Sequence, residues 1–286
     1  MRAMQRKTIL GGGILVIEAL LVVALWGQVL KGSASSVSFF DIGQGDASFI
    51  ETSFGRQILI DGGPSNAVLG KLDQRMPRWD KTIDLVIATH PDSDHITGLI
   101  GVLKKYKAGI VLWNGIEKDS ALYREWRKAL KEEEAEGAMI VIAKAPQRIV
   151  LSNKGCPQFL DIFSPFEDIA GQKFADDNDT SIVARLVSCK HSVLFTGDLT
   201  LKGEKKLLEK GFSVDSDILK AGHHGSKTSS SSEFVQATSP DIAVISSGKN
   251  NQYGHPHEET LATLEQFGIT VMRTDTKGDI TLYFNN

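Results

Sequence analysis

The sequence predicts an α/β (α+β) protein in which two sheets carry helices on their outer faces, with one N-terminal transmembrane helix in front of them. Three observations support this. The chain starts with a long apolar segment, both halves run from consecutive strands into alternating strands and helices, and four strands end in metal-binding residue types. The 286 residues carry a net charge of −3, so a nucleic-acid partner would require a local basic patch.

Residues 8–30 are almost wholly apolar, and a helix of that length, at about 1.5 Å per residue, spans a bilayer core of roughly 30 Å. Basic residues precede the segment and only one follows closely, which orients the N-terminus toward the cytoplasm. We predict a single-pass anchor at 1–31 in the cytoplasmic membrane, with an extracytoplasmic catalytic domain. A cleaved signal peptide, which would give a secreted protein, and a buried core helix are the alternatives.

A linker at 32–36 leads into a predicted globular domain at 37–286. Its first half contains a hairpin with a glycine-bearing turn, then alternates strands with helices of 3.6-residue periodicity. The predicted strands are 37–41, 47–51, 57–60, 84–88 and 110–113, and the predicted helices are 65–76, 96–107 and 120–136. Ser120 is a suitable N-cap for the last of these helices.

Three short strands follow the helix at 120–136, and a second β-rich passage, beginning at 181, again leads into alternating strands and helices. Strands are predicted at 139–142, 148–151, 159–163, 181–187, 191–195, 217–220, 242–245, 269–273 and 279–284, with helices at 201–210 and 258–267. Two cysteines, Cys156 and Cys189, are too few for a disulfide framework or a thiolate zinc site. A single disulfide between these two cysteines is compatible with the sequence, which does not decide whether it forms.

The densest group of candidate ligands is Thr89-His90-Pro91-Asp92-Ser93-Asp94-His95, which follows a buried-strand pattern. Asp61, Asp198 and the pair His223-His224 also follow strands. Strand ends on one side of α/β sheets form a functional rim, so these groups are expected to converge on two divalent ions that activate water, with Asp198 able to bridge them. The mixture of imidazole and carboxylate favours Zn²⁺ or Mn²⁺ over calcium.

These residues resemble the metallo-β-lactamase superfamily, whose hallmark is His-x-His-x-Asp-His with later Asp and His ligands. The resemblance covers nearly all of 37–286 and implies a four-layer αββα sandwich. Within the superfamily the chain is similar to the hydrolase domain of the ComEC/Rec2 competence proteins, which are implicated in DNA uptake. The stretches that carry this similarity are 40–46, 59–63, 89–95, 194–198, 222–226 and 251–256.

The chain departs from the broad superfamily in two ways. Asp92 stands where a second histidine is usual, and the third-motif histidine is absent, which leaves Asp179 as a candidate in that region. The polytopic channel of the competence proteins is also missing, so a membrane-tethered hydrolase is expected rather than a translocator.

The resemblance implies a role for each matching residue. One ion would be held by His90, Asp92 and Asp198, and the other by Asp94, His95, Asp198 and His223. Asp61 would orient the ligands, with Asp179 as a further candidate for this role. Asp94 and His224 are the expected catalytic residues. The proton donor would be His224 or, alternatively, His255. The expected substrate contacts are Ser226, Lys227, Asn250 and His255.

The leading functional hypothesis is a metal-dependent phosphodiesterase or nuclease acting on DNA, with the uptake machinery as a partner. A hydrolase of a non-nucleic-acid ester or lactone is the second hypothesis. A non-catalytic DNA-binding or assembly module is the third.

Overall fold

A computed structural model describes residues 34–284. The predicted membrane anchor at 1–31 therefore lies outside the described residues. Within 34–284, none of the helices combines the length and the apolar character needed to cross a bilayer.

The first of two seven-stranded sheets is built mainly from the N-terminal half of the chain. Its strands, in chain order, are β1 Ser35–Phe39, β2 Ser48–Glu51, β3 Gln57–Ile60, β4 Thr82–Ala88, β5 Lys107–Trp113, β6 Met139–Ile142 and the C-terminal β14 Ile280–Phe284. Their spatial order is β14-β1-β2-β3-β4-β5-β6. The pairs from β14 to β3 are antiparallel and those from β3 to β6 are parallel.

The second sheet repeats this plan. It contains β7 Gln147–Ser152, β8 Gln158–Ser164, β9 Val183–Ser188, β10 His191–Phe195, β11 Ile218–Lys220, β12 Ile242–Ile245 and β13 Thr270–Arg273. The order is β13-β12-β11-β10-β9-β8-β7, antiparallel from β7 to β10 and parallel from β10 to β13. The predicted change from β-rich to alternating sequence in each half is confirmed.

Helices cover the outer faces of both sheets. The helices are α1 Ala67–Arg75, α2 Ser93–Leu103, α3 Ala121–Ala135, α4 Leu201–Glu209, α5 Ser232–Thr238, α6 Glu258–Gln266 and the short α7 Thr274–Lys277. The inner faces meet in one apolar core, in which the rings of Phe39 and Phe195 lie 6.0 Å apart across the sheets. Separate apolar layers bury α1–α3 against the first sheet and α4–α6 against the second. The four-layer αββα architecture is confirmed.

Several boundaries differ from the sequence interpretation, and two of these differences concern the linker and the candidate site. β1 begins at Ser35, so Ser35 and Ser36, assigned to the linker, are strand residues paired with β14. Helix α2 begins at Ser93 rather than at Ile96, because the Asp92 carbonyl already accepts hydrogen bonds from the amides of His95 and Ile96 at 3.1 and 3.0 Å. The polar first turn of α2 has no apolar periodicity to reveal it.

Cys156 and Cys189 form a disulfide with a Cα–Cα distance of 5.0 Å. The bridge joins the β7–β8 connection to the β9–β10 turn. It resolves the alternative that the sequence left open. The bridge lies just before the first residue of β10, whereas Asp198 follows the last residue of that strand. The bridge and Asp198 are therefore at opposite ends of β10.

Candidate metal centre

The sequence-predicted ligands converge where four strands end. Asp61 follows β3, the His90–His95 motif follows β4, Asp198 follows β10, and the histidine pair follows β11. In each sheet the two strands are parallel neighbours, so their carboxyl ends lie at the same edge. The centre therefore lies between the two sheets and takes ligands from both.

The start of α2 is held firmly against this edge. The carbonyl oxygens of Asp94 and His95 accept hydrogen bonds from the amides of Asp46 and Gly62 at 3.2 and 2.8 Å. A Cβ atom on Gly98 would lie 1.9 Å from the Gly62 carbonyl oxygen, so only glycine permits this close approach. Backbone contacts thus position Asp94 and His95 on a rigid helix.

Four side chains form the tightest group of ligand atoms. Asp94, His95, Asp198 and His224 each offer one atom, and these atoms all lie within 4.8 Å of one another. Asp198 Oδ1 lies 3.3 Å from His95 Nε2, and Asp198 Oδ2 lies 3.3 Å from His224 Nε2. His224 Nε2 is also 3.2 Å from Asp94 Oδ2.

A metal ion fits the unsatisfied atoms of this group. The Nε2 atoms of His90, His95 and His224, together with Asp198 Oδ1, are buried and have no hydrogen-bond partner among the described residues. Buried polar atoms are rarely left unpaired, because the loss of hydration is costly. The nitrogens of His95 and His224 share one space with Asp198, while the His90 nitrogen faces Asp92 and Asp198. This mixture of imidazole and carboxylate donors suits Zn²⁺ or Mn²⁺.

A second, wider ligand set lies on the other side of Asp198. His90 Nε2 is 3.8 Å from Asp92 Oδ2 and 4.0 Å from Asp198 Oδ2. Asp92 occupies the N-cap position of α2 with an extended backbone, and its carboxylate makes no capping hydrogen bond, so it remains available to the centre. Asp198 is near both sets: its Oδ2 is the oxygen closest to His90 and to His224, and its Oδ1 faces His95.

Lys118 contacts this second set and was not singled out from the sequence. Its ammonium group contacts Asp92 Oδ1 and lies 2.5 Å from Asp177 Oδ2. Burial would lower the pKa of Lys118, but its bonds to Asp177 and Asp92 raise it overall. No motif pointed to Lys118, because it reaches the centre only through the irregular connection between β5 and α3.

The two adjacent histidines are placed the other way round from the expectation. His224, expected as a proton donor, is buried in the tight group, while His223, expected as the ligand, is 26% exposed and lies 3.8 Å from Asp198 Oδ2. Both residues have a left-handed backbone, with φ of 47° and 56°, which strains a non-glycine residue and points the two rings in different directions. Nδ1 of His224 faces the Ser246 carbonyl oxygen at 3.0 Å and Asp46 at 3.2 Å, which holds its Nε2 toward the ligands.

Two buried carboxylates contact the candidate ligand histidines. Asp61 Oδ2 lies 2.9 Å from His95 Nδ1, and the same carboxylate accepts bonds from the Thr89 amide and hydroxyl at 2.9 and 2.8 Å. Asp46 faces His224 and bonds the buried Lys220 ammonium at 2.7 Å. Such pairs fix the ring orientation and leave Nε2 free for a metal.

Asp46 and Lys220 are therefore site residues that sequence reasoning missed. The signals were present: Asp46 ends the glycine-rich turn after β1, and Lys220 interrupts an otherwise apolar strand. Neither was interpreted as part of the centre.

The electrostatics of the centre reflect this dense mixture of charges. Burial would lower the pKa of His95 and of His224, but the Asp198 carboxylate, with Asp61 and Asp46 respectively, raises both pKa values well above the ordinary range. Burial would raise the pKa of Asp198, yet His224 and His95 hold it well below its usual value. For His90 burial dominates, so its pKa is lowered and its ring is available as a neutral ligand.

The remaining predicted residues lie around the centre. Asp179 is turned toward the Thr200 hydroxyl and toward Lys202 at 3.2 Å, outside the tight ligand group.

Among the expected substrate contacts, Ser226 is buried and its hydroxyl bonds Thr228, whereas Lys227 and Asn250 are exposed. His255 is half-buried beside His223, and burial together with the neighbouring histidines lowers its pKa to about 4.

Comparison with known proteins agrees with this geometry. Residues 40–249 match the family model of the metallo-beta-lactamase superfamily. ComE operon protein 3 of Bacillus subtilis (strain 168) is 30% identical over 308 residues, which cover 100% of this chain and 37% of that protein. Competence protein ComA of Neisseria gonorrhoeae is 34% identical over 253 residues, covering 88% of this chain and 32% of that protein. The chain thus spans about a third of the length of these relatives.

A solved structure shares the fold. A metallo hydrolase from the hyperthermophilic archaeon Ignicoccus hospitalis KIN4/I superposes with a TM-score of 0.55 at 16% sequence identity, covering 87% of this chain and 100% of that one. At that level of identity, the likeness concerns the architecture alone.

Proposed function

This chain belongs to the metallo-β-lactamase superfamily, as a ComEC/Rec2-like hydrolase domain, and on that premise we propose that it is a metal-dependent phosphodiesterase that cleaves DNA. The observation that carries the proposal is the group of buried, unpartnered ligand atoms from His90, His95, Asp198 and His224. The competence proteins among its relatives favour DNA as the substrate.

We assign two ligand sets around Asp198. The first comprises His90, Asp92 and Asp198, and the second comprises Asp94, His95, Asp198 and His224. Compared with the sequence expectation, His224 takes the place of His223. Bound Zn²⁺ or Mn²⁺ ions would supply an activated water and polarise a phosphoryl oxygen.

The protein's own residues prepare the site for that chemistry. Asp61 and Asp46 hold the rings of His95 and His224, so that little reorganisation is needed when substrate binds. His223 lies 3.8 Å from Asp198 and is partly exposed, which supports a role as the proton donor to the leaving oxygen. His255, whose pKa is lowered to about 4, is neutral at physiological pH and is better suited to contact the substrate.

We also propose an extracytoplasmic location with a membrane anchor at 1–31. The Cys156–Cys189 bridge supports it, since disulfides persist mainly in oxidising compartments. The competence relatives suggest DNA-uptake machinery as the partner.

The test uses the full chain in detergent with Mn²⁺ or Zn²⁺. Single- and double-stranded DNA, bis(p-nitrophenyl) phosphate and a lactone are offered as substrates. We expect metal-dependent cleavage of DNA that is lost in Asp94→Ala and retained in Asp241→Ala, a surface aspartate whose side chain forms no bond to the described residues. Turnover of the lactone without DNA cleavage would contradict the proposal, as would DNA binding without hydrolysis of any substrate.

A further inference from the structure

A strongly basic groove lies beside the candidate centre. It has a volume of about 510 Å³, and six cationic side chains face two carboxylates along it, although the whole chain is acidic. The cations are Lys118, Arg124, Arg127, Lys128, Lys131 and Lys173, and the carboxylates are Glu117 and Asp119. This is the local concentration of positive charge that the overall net charge of −3 hides.

Four of these cations form a stripe on α3. Arg124, Arg127, Lys128 and Lys131 have helical spacings of three, four and seven residues, so they share one face. The other face of α3 buries Trp126 and Leu130 against the first sheet, which fixes the direction in which the stripe points. At about 1.5 Å per residue the stripe is roughly 10 Å long, equivalent to about three nucleotide steps along one strand.

The groove adjoins a cavity that reaches one proposed ligand, Asp92, and whose wall also carries Glu117, Asp119, Asp176 and Asp177. Lys118 and Lys173 also line this cavity, which has a volume of about 400 Å³. Lys118 contacts Asp92 itself. Phe174, which is 37% exposed, lines the same cavity and offers a ring on which a base can stack.

Most of the stripe is available to an external anion. Within residues 34–284, neither Lys131 nor Lys173 takes part in an ion pair. Arg124 pairs with Asp119, which is 85% exposed, and Lys128 lies 3.6 Å from Glu132 on the helix surface. Exposed pairs of this kind contribute little and are easily exchanged for a phosphate.

We propose that this groove binds the phosphate backbone of a nucleic-acid strand and leads it from α3, past Lys118, to the metal centre. This inference rests on the proposed nuclease function and names the surface that holds the substrate beyond the scissile phosphate. A concave track that ends at the partly exposed Asp92 suits a flexible strand. A bilayer surface is flat and could not follow it to Asp92.

The test compares two double variants of the full chain in detergent. Lys131→Glu/Lys173→Glu reverses two groove charges without touching a proposed ligand. Lys104→Glu/Lys205→Glu makes the same change in net charge elsewhere: Lys104 follows the far end of α2 from its ligands, and Lys205 lies on α4 against the other sheet. Binding of a fluorescent single-stranded oligonucleotide is measured in chelator over a range of salt concentrations, and hydrolysis of the oligonucleotide and of bis(p-nitrophenyl) phosphate is measured with metal.

For the groove variant we expect oligonucleotide affinity at low salt to fall at least tenfold. The slope of log affinity against log salt should shrink by about 1.4, since each lost contact to a single strand contributes about 0.7. Hydrolysis of the small diester should stay at the level of the unmodified protein, and the control variant should match the unmodified protein in every measurement.

Unchanged oligonucleotide binding in the groove variant would overturn the inference, and so would an equal loss in the control variant. Loss of small-diester hydrolysis would also overturn it, because the lysines would then be supporting the centre itself. Competition by dihexanoyl phosphatidylserine as effective as that by unlabelled oligonucleotide would identify the groove as a lipid site. If the unmodified protein binds the strand through the groove but cleaves nothing with either metal, the proposed function fails and the groove assignment stands.

Discussion

Oδ1 of Asp46 lies 3.2 Å from Nδ1 of His224, and this contact joins the loop after β1 to the loop after β11. The aspartate is fixed in turn by the buried Lys220 ammonium at 2.7 Å. The orientation of one proposed ligand therefore depends on a chain of three residues from both sheets. The effect of replacing Asp46 or Lys220 can be measured separately from the effect of replacing a ligand.

Replacement of this carboxylate should weaken metal binding without removing a ligand. We expect Asp46→Asn to lower the affinity for Mn²⁺ or Zn²⁺ by about 10- to 100-fold, because the amide orients and polarises His224 less well. Titration calorimetry checks this, with Asp41→Asn in the same turn as the matched control. Equal affinities for the two variants would show that Asp46 plays no part in metal binding.

The ion pair between Asp46 and Lys220 should be costly to break from one side only. Lys220→Met leaves a buried carboxylate without its ammonium partner, and the free energy of unfolding should fall by about 3–5 kcal/mol. The double variant Asp46→Asn/Lys220→Met should recover part of that loss. Urea denaturation of the chelated proteins gives the coupling energy, and simple additivity of the single variants would argue against a direct pair.

Variants of the two adjacent histidines should differ in metal content and in activity. His224→Ala removes a proposed ligand that is buried, and it should abolish tight binding of one ion together with activity. His223→Ala should keep the metal content but lower kcat by about 10²- to 10⁴-fold, as expected for loss of a proton donor. Metal analysis beside steady-state rates distinguishes them, and loss of metal in the His223 variant alone would restore the assignment expected from the sequence.

Acid and base should act differently on the metal-free protein. The raised pKa values of His95 and His224 give stability that is fully present below about pH 6.5 and is lost as the pH rises through their folded values. The lowered pKa values of Asp94 and Asp198 give stability present above about pH 4 and lost on acidification. The melting temperature of the chelated protein should therefore decline on both sides of neutrality.

Metal binding should release the protons that these histidines hold. Affinity should rise with pH up to the raised pKa values, and binding enthalpies at neutral pH should differ between buffers of different ionisation enthalpy. The same enthalpy in every buffer would mean that His95 and His224 are already neutral in the metal-free protein.

The disulfide should contribute stability but not catalysis. The bridge closes a loop of sequence separation 33, for which chain entropy predicts about 3–4 kcal/mol. Cys156→Ser/Cys189→Ser should therefore unfold at lower urea concentration and keep its kcat, because the bridge and Asp198 lie at opposite ends of β10. A matching loss of kcat in the folded variant would show that the bridge also positions the centre.

The order of elements and the ligand-bearing strand ends could be predicted from the sequence, because both depend on local patterns. Apolar periodicity identifies β4, and the spacing of His90 to His95 is rare without a metal. The assignment between His223 and His224 could not be made, since it depends on two left-handed residues and on a distant Asp46. Lys118 could not be identified for the same reason. Its contact with Asp92 depends on the folded position of the β5–α3 connection.

The division of the ligands between the two sheets has a mechanical consequence. Asp61 and the His90–His95 motif belong to the N-terminal half, and Asp198 and His224 belong to the C-terminal half. Ions bound between the two halves would cross-link the two sheets and would resist movement of one sheet relative to the other. Loss of the ions would then weaken the contact between the two halves at the edge of the sheets that carries the candidate centre.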